Sequence, residues 1–422
     1  MTISLQPGVN LTVIPTEKFK TIRLFFRFST EHQKKTAAKR TLLTNLLETN
    51  SLHYPFQTKL SEKLAELYGA SFGLNVGKKG NLHQVNLMMN LVNEKYLNEE
   101  GILEEGIKFI QEILFHPNIK EDAFDFDTFQ LEKENMIDYL ESLKEDKQTL
   151  AALRLQELYF MDEDQKTPSF GTKEDIQSLD AYDLVQTYQE MIMQDQVDIF
   201  VVGDIAEEKV SRAIRRLPFT PRNTFSPKMF YQQELKSEVQ TETIYEPVIQ
   251  AKLNLAYRTS IYYNDPRRFS LLVFNGLFGG FPHSKLFTNV REKASLAYYA
   301  SSAFDSFRGF VTVQTGIDRK NRSRVLSLIE EQLEDLKEGH FTENDLQQTK
   351  VMLKNQFLLS LDSAQGLIEM TYLERRLSKL VKDETEFEEK IMAVTKEDVK
   401  KVAEDLQLQA IFTLDKKEEA YE

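Results

Sequence analysis

The feature that most constrains the fold is a repeat of the same element order in the two halves of the chain. A helical stretch beginning at Asp180 precedes an apolar, strand-like run from Val197 to Asp204. A second helical stretch, Thr395 to Leu406, precedes a similar run from Leu408 to Asp415, so the pattern recurs after about 210 residues. The chain has 422 residues, and half of that length is a normal size for one domain. The sequence therefore predicts two tandem homologous domains.

The hydrophobic pattern inside each half predicts strands followed by helices. Val9 to Ile14 and Thr21 to Ser29 read as a pair of strands, and helical periodicity follows from Ala37 to Leu47 and from Gln57 to Tyr68. The second half begins again with a strand-like run from Lys252 to Tyr257. This order is typical of the α+β class. We expect each domain to be a mainly antiparallel sheet with helices packed on one face.

The periodicity stops between the halves, in a polar segment that contains Pro218 and Pro221. Such a composition is typical of a connecting segment. The sequence therefore predicts an N-terminal domain over residues 1–217, a linker over 218–240 and a C-terminal domain over 241–422.

Composition excludes several classes of protein. Lys and Arg number 53 against 66 Asp and Glu, and the resulting net charge of -13 argues against a nucleic-acid partner. The chain has no cysteine, which excludes disulfides, a thiolate nucleophile and a cysteine metal site. The longest apolar run, Leu296 to Ala300, is too short to span a membrane, and the first residues do not resemble a secretory signal. We expect a cytoplasmic protein without a membrane span.

The histidines do not form a helical metal motif. The nearest two, His32 and His53, are 21 residues apart, so no pair has the spacing of four that places two zinc ligands on one helix face. Each histidine is therefore predicted to lie on the surface or in a loop rather than to bind a metal. The chain also lacks the Gly-x-Ser-x-Gly motif of serine hydrolases and the phosphate-binding loop of nucleotide hydrolases.

A glycine cluster, Gly276, Gly279 and Gly280, precedes a predicted helix from Ser284 to Lys293. Two interpretations are open. The glycines could let two backbones approach closely, or they could form a loop beside a ligand groove.

The run that follows these glycines resembles a known family. Ser284-Lys-Leu-Phe, Arg291-Glu-Lys and Leu296-Ala-Tyr298 are similar to the C-terminal half of the insulinase/pitrilysin peptidases, of the two-domain mitochondrial-processing-peptidase type. The chain departs from the family pattern where Phe281 follows only two glycines. The resemblance implies that Arg291 and Tyr298 bind substrate. The alternative is that Arg291 ends a helix and that Tyr298 packs on a strand.

The same resemblance implies that the zinc site of the family is degenerate in this chain. The family carries His-x-x-Glu-His on its first helix, where this chain has Thr41, Thr44 and Asn45. The family also carries two glutamates seven residues apart on a later helix. Glu132 matches the first of them, and Tyr139 occupies the second position. Thr and Asn cannot lower the pKa of a water from about 15.7 to about 7, as zinc does. The resemblance therefore implies no metal on this chain.

Together these features imply a non-catalytic, peptide-binding subunit of a bacterial, heterodimeric zinc metallopeptidase. This chain would supply Arg291 and Tyr298, and a homologous partner would supply the zinc and the His-x-x-Glu-His motif. The substrate would be an extended peptide, added as a strand to an exposed sheet edge. Alone, the chain is expected to be inactive and either a monomer or a homodimer. The alternative is a scaffold subunit of the same fold without a role in proteolysis.

Overall fold

The computed structural model describes residues 2–223, 228–377 and 383–416. The strands are β1 (Thr2–Gln6), β2 (Val9–Pro15), β3 (Thr21–Glu31), β4 (Ser71–Lys79), β5 (Leu82–Val92), β6 (Ile119–Lys120), β7 (Ala123–Phe124), β8 (Gln196–Gly203), β9 (Gln240–Glu246), β10 (Ala251–Arg258), β11 (Ala297–Asp305), β12 (Phe310–Ile317) and β13 (Gln407–Lys416). The α-helices are α1 (Lys34–Thr49), α2 (Gln57–Glu66), α3 (Ile102–Phe115), α4 (Phe126–Glu145), α5 (Lys147–Tyr159), α6 (Glu163–Lys166), α7 (Lys173–Ser178), α8 (Ala181–Gln194), α9 (Glu207–Ile214), α10 (Arg268–Asn275), α11 (Arg322–Glu338), α12 (Glu343–Leu361), α13 (Ala364–Arg376), α14 (Glu384–Ala393) and α15 (Lys396–Asp405). Short 3₁₀ turns occur at Glu94–Tyr96 and Arg319–Asn321, and π-helical segments at Gly276–Gly280 and Leu286–Lys293.

The chain divides into two compact units. The first unit comprises Met1–Glu141, Thr167–Met229 and Ala364–Tyr372, and the second comprises Ser142–Lys166, Phe230–Ser363 and Leu373–Glu422. Between Met229 and Phe230 the chain passes from the first unit to the second, inside the segment 218–240 that the sequence predicts as a linker. Residues 224–227 of that segment lie outside the described ranges. The domains expected from the sequence are contiguous stretches, whereas each compact unit also takes a segment from the opposite half of the chain.

The first unit contains a six-stranded sheet with the order β1-β2-β8-β3-β5-β4. Neighbouring strands are antiparallel, except that β2 and β8 are parallel. Side chains alternate between the two faces of β3. Leu24 and Phe26 are buried on the face that α1 and α3 cover, and Arg23 and Arg27 point to the opposite face.

The second unit contains a five-stranded sheet with the order β11-β12-β10-β13-β9, in which only β13 and β9 are parallel. One face, which includes Leu253 and Leu255, packs into the larger core with α10, α11 and α15. The other face, which includes Ala256 and Phe412, packs with Leu155 of α5. The segment 142–166 therefore belongs to this unit because α5 covers the second face of its sheet.

The two sheets repeat the same topology. Without β1, the order β2-β8-β3-β5-β4 matches β9-β13-β10-β12-β11 position by position, and the parallel pair occupies the same place in both sheets. This match confirms the predicted α+β class with two similar, mainly antiparallel sheets. It also makes β4 and β11 equivalent edge strands. No helix among the described residues is long and apolar enough to cross a membrane.

Candidate functional site

Tyr298 lies at a bulge in the edge strand β11. Ala297 pairs with Ile317 of β12, whereas Tyr299 pairs with Gly316, so Tyr298 is an extra residue on β11. Such bulges occur at sheet edges and turn a side chain to a new direction. The side chain of Tyr298 is 62% exposed. The bulge therefore presents Tyr298 to solvent at the edge of the sheet instead of packing it on the strand.

Arg291 lies just before β11, in the π-helical segment Leu286–Lys293. Its side chain is exposed, and its guanidinium carbon lies 4.4 Å from the ring centre of Phe287. A cation over an aromatic face at this distance is held by the ring quadrupole. Among the residues that the structure describes, Arg291 forms no ion pair. Its hydrogen-bond donors are therefore available to a ligand.

The glycine cluster brings a second π-helical segment, Gly276–Gly280, close to β11. A Cβ atom on Gly279 would lie 2.5 Å from the backbone nitrogen of Ser302 in β11, and one on Gly276 would lie 2.6 Å from the side chain of Thr349. No side chain fits at such distances. The structure therefore favours the interpretation in which these glycines allow close backbone approach.

The three altered positions on α1 hold neutral side chains that are engaged locally. The hydroxyl of Thr41 lies 3.0 Å from the carbonyl of Ala37, and the hydroxyl of Thr44 donates to the carbonyl of Thr41 at 2.7 Å. The amide nitrogen of Asn45 lies 3.9 Å from the sulfur of Met136 in α4. These groups do not converge as metal ligands do.

The facing helix α4 does not complete a metal site. Glu132 accepts a hydrogen bond from the hydroxyl of Thr49 at 2.8 Å. Met136 is the α4 residue beside Asn45, and Tyr139, on the next turn, is about half exposed. Within the described ranges, no group of three or more Asp, Glu or His side chains could hold a metal ion. The residues present therefore do not fit a zinc ion.

Beside these positions, a carboxylate reaches the edge of the first sheet. Glu48 and Glu132 line an open cavity of about 760 Å³ between α1 and α4. The backbone N–H of Leu74 in β4 donates to a carboxylate oxygen of Glu48 at 3.0 Å. Burial raises the pKa of Glu48, the hydrogen bond from Leu74 opposes that rise, and the charge of Glu132 adds to it.

A buried network that the sequence analysis missed lies behind α1. Arg40 donates to the Nδ1 atom of His83 at 3.0 Å and pairs with Asp195 at 2.5 Å. His83 is fully buried, and burial followed by the charge of Arg40 lowers its pKa well below the usual value. The prediction that every histidine lies on the surface or in a loop is wrong for His83, which is buried in β5. His32, which stacks on it, lies in the loop between β3 and α1, as predicted, but is buried there. The alternation of β5 could have revealed the burial of His83, because His83 shares a face with the buried Val85.

Comparison with known proteins identifies the family. Residues 178–353 match the family model described as the Peptidase M16 inactive domain. Over 410 residues the chain is 38% identical to the "Probable inactive metalloprotease YmfF" of Bacillus subtilis, and the alignment covers 96% of each protein. The chain belongs to the M16 peptidase family. The predicted resemblance to insulinase/pitrilysin peptidases is thereby confirmed. The M16 match includes Arg291 and Tyr298, whereas Thr41, Thr44 and Asn45 precede it.

Solved structures agree with this assignment. A conserved protein from Enterococcus faecalis V583 is 53% identical, covers 99% of both chains and has a TM-score of 0.96. A protease from Helicobacter pylori, at 16% identity, covers 98% of this chain and 99% of its own with a TM-score of 0.80. This second likeness shows that the two proteins share a fold.

Proposed function

We propose that this chain is the non-catalytic, peptide-binding subunit of a cytoplasmic, heterodimeric zinc peptidase. It supplies Arg291 and Tyr298 to a cleft whose zinc is held by a homologous partner subunit. The observation that carries the proposal is the bulge that presents Tyr298 at the edge of β11, seven residues after the exposed Arg291.

The chemistry of this edge suits an extended peptide. An edge strand presents unpaired backbone N–H and C=O groups, with which a peptide can pair as an added strand. Arg291 offers five donors in a rigid fork, and Tyr298 offers one phenolic donor. Such donors can hold a peptide carbonyl, or stabilise the oxyanion that forms when the carbonyl is attacked. The two residues therefore favour a role in binding and positioning peptide.

The altered positions on α1 support the non-catalytic part of the proposal. Thr41, Thr44 and Asn45 carry no charge and no imidazole, so they supply neither a zinc site nor a general base. A relative that aligns along nearly its whole length is itself named a probable inactive metalloprotease. Hydrolysis is therefore assigned to the partner subunit, with its own His-x-x-Glu-His motif.

The proposal is tested by purifying three samples, namely this chain, a homologous M16 subunit with an intact zinc motif from the same cells, and the complex of both. We expect this chain alone to contain no stoichiometric zinc and to cleave no peptide. The complex should contain one zinc and should cleave peptides faster than the partner alone. A tightly held zinc in the isolated chain would contradict the proposal. A partner that is equally active alone would instead favour the scaffold function.

A further inference from the structure

A half-buried cation, Arg268, lines a cavity of the second unit. Arg268 is the first residue of α10, and Tyr263 lies in the loop that precedes this helix. Both residues, together with Phe269, line an open cavity of about 490 Å³. A cavity of this volume can hold a small ligand. Neither Arg291 nor Tyr298 lines it, so a ligand here would be additional to the proposed peptide.

Aromatic rings hold the guanidinium of Arg268 in place. Its central carbon lies 3.8 Å from the ring centre of Tyr263, which is van der Waals contact, and 5.2 Å from that of Phe269. The ring of Tyr263 stacks in turn on Phe307, with 5.0 Å between the ring centres. A guanidinium that stacks on a ring keeps its N–H donors in its own plane, where two of them can bind a carboxylate or a phosphate. The packing therefore orients Arg268 for an oxyanion.

No carboxylate among the described residues neutralises Arg268. The two acidic residues that line the cavity are engaged elsewhere. Asp265 pairs with Arg267 at 2.8 Å, and Asp398 accepts hydrogen bonds at the start of α15. Burial lowers the pKa of Arg268, and contact with Tyr263 opposes that change. Because buried cations in proteins are normally paired, Arg268 is a site at which a counter-ion would be favourable.

A second cation lines the same cavity. The ammonium of Lys390 in α14 lies 5.5 Å from the ring centre of Phe269, the ring that Arg268 also approaches. Lys390 pairs with Glu386 at 2.6 Å, and both side chains are at least one third exposed. Ion pairs as exposed as this one are weak. An anion in the cavity can therefore compete with Glu386 for the ammonium.

We propose that the cavity at Arg268 is a binding site for a small oxyanion, namely a carboxylate or a phosphate group. Arg268 binds the anion through two parallel N–H donors, and Lys390 adds a second positive charge. The anion supplies the counter-charge that the described part of the chain does not provide. The site does not depend on the proposed peptide function.

Isothermal titration calorimetry of the full-length chain tests the site, with inorganic phosphate and succinate as probes and sodium chloride of equal ionic strength as the reference. We expect saturable binding of at least one probe, at one site per chain. Arg268→Gln should weaken it at least about ten-fold, because two hydrogen bonds from a charged group are lost. Arg154→Gln is the matched control, because it removes the same charge from an exposed residue of the same unit. It should bind as the wild-type chain does.

The two probes distinguish the sources of the anion. Binding of phosphate alone would assign a phosphate ligand, and binding of succinate alone would assign a carboxylate. Binding of neither probe to the wild-type chain would overturn the site, as would equal weakening in Arg154→Gln and Arg268→Gln.

A second variant keeps the test decisive if Arg268→Gln does not fold. Circular dichroism verifies folding before each titration. Lys390→Gln changes a more exposed side chain and should weaken binding about three-fold. Wild-type affinity in a folded Arg268→Gln variant would overturn the site. If that variant is unfolded, wild-type affinity in Lys390→Gln would overturn it instead.

Discussion

Arg27 of β3 and Glu369 of α13 form a partly buried ion pair, although they are 342 residues apart in the sequence. Lys79 at the end of β4 contacts the same carboxylate at 2.7 Å. The guanidinium of Arg27 also lies 4.4 Å from the ring centre of Tyr372. These contacts hold the segment Ala364–Tyr372 on the polar face of the first sheet. This segment therefore belongs to the first unit, although its neighbours in the sequence belong to the second.

Glu369→Ala should destabilise the protein strongly. The side chain of Arg27 is only 3% exposed, so loss of its partner would leave a buried charge uncompensated. Removal of one member of a buried pair costs about 3 to 5 kcal/mol of the free energy of unfolding. Urea unfolding measures the effect, with Glu62→Ala as the control that should change little. A loss below about 1 kcal/mol would show that the pair does not fasten α13 to the sheet.

The same carboxylate should make stability depend on acid pH. Burial opposes ionisation of Glu369, but Arg27 and Lys79 outweigh it and lower the pKa to about 2, from 4.5. A lowered folded-state pKa stabilises the protein above pH 4.5, and this contribution is lost as the pH falls from 4.5 towards 2. At about 1.4 kcal/mol per pKa unit, the loss amounts to roughly 3 kcal/mol. The free energy of unfolding of Glu369→Gln, measured as a function of pH, should lack this decrease between pH 4.5 and 2. If the variant and the wild-type chain lost the same free energy over this range, Glu369 would not be the group responsible.

His83 should destabilise the folded state in mild acid. Its pKa is held below 6.5 in the folded chain, so the unfolded chain binds the proton more readily. Stability should therefore fall as the pH drops below 6.5. His83→Gln, which keeps an acceptor for Arg40, should flatten this dependence in thermal melts, and the exposed His340→Gln should not. Equal slopes for the two variants would show that His83 is not the group responsible.

Gly279→Ala should disturb β11. The added Cβ would lie 2.5 Å from the backbone nitrogen of Ser302, and such overpacking costs about 1 to 3 kcal/mol. Gly77→Ala in β4 is the matched control, because its Cβ would meet nothing nearer than 3.9 Å. Thermal unfolding should separate the two variants. Equal stability would mean that the close approach to β11 is not required.

Hydrophobic periodicity predicted the order of the elements well, because it shows which side chains of a helix or strand face a core. The predicted helix Ala37 to Leu47 lies inside α1, and Lys252 to Tyr257 lies inside β10. The same periodicity does not identify the surface that a helix covers. The apolar stripe of α5, which includes Leu155, could have packed on either sheet. The structure places it on the second one.

The candidate site was predicted in part. The spacing of Arg291 and Tyr298 was read from the sequence, but the bulge was not, because Tyr298 and Tyr299 are equally suited to a strand. The hydrogen bond from Leu74 to Glu48 also has no local signature, since it joins the end of a helix to a strand 26 residues later. Contacts of this kind depend on tertiary packing.

The central claim is that Arg291 and Tyr298 act on peptide bound to a complex with a zinc-containing partner. The most direct measurement compares kcat and KM of the complex containing Arg291→Ala with Tyr298→Phe against the wild-type complex. Arg324→Ala with Tyr245→Phe is the matched control, because both of its residues are exposed and Tyr245 lies in β9, at the opposite edge of the sheet from β11. Assembly of every complex is verified by size-exclusion chromatography before the assay.

We predict that turnover of the Arg291 and Tyr298 variant falls about 100-fold to 1,000-fold, because loss of one transition-state donor costs about 2.7 to 4 kcal/mol. The control complex should keep wild-type turnover. Wild-type turnover in an assembled complex that carries Arg291→Ala and Tyr298→Phe would contradict the claim, and the chain would then be assigned the scaffold function.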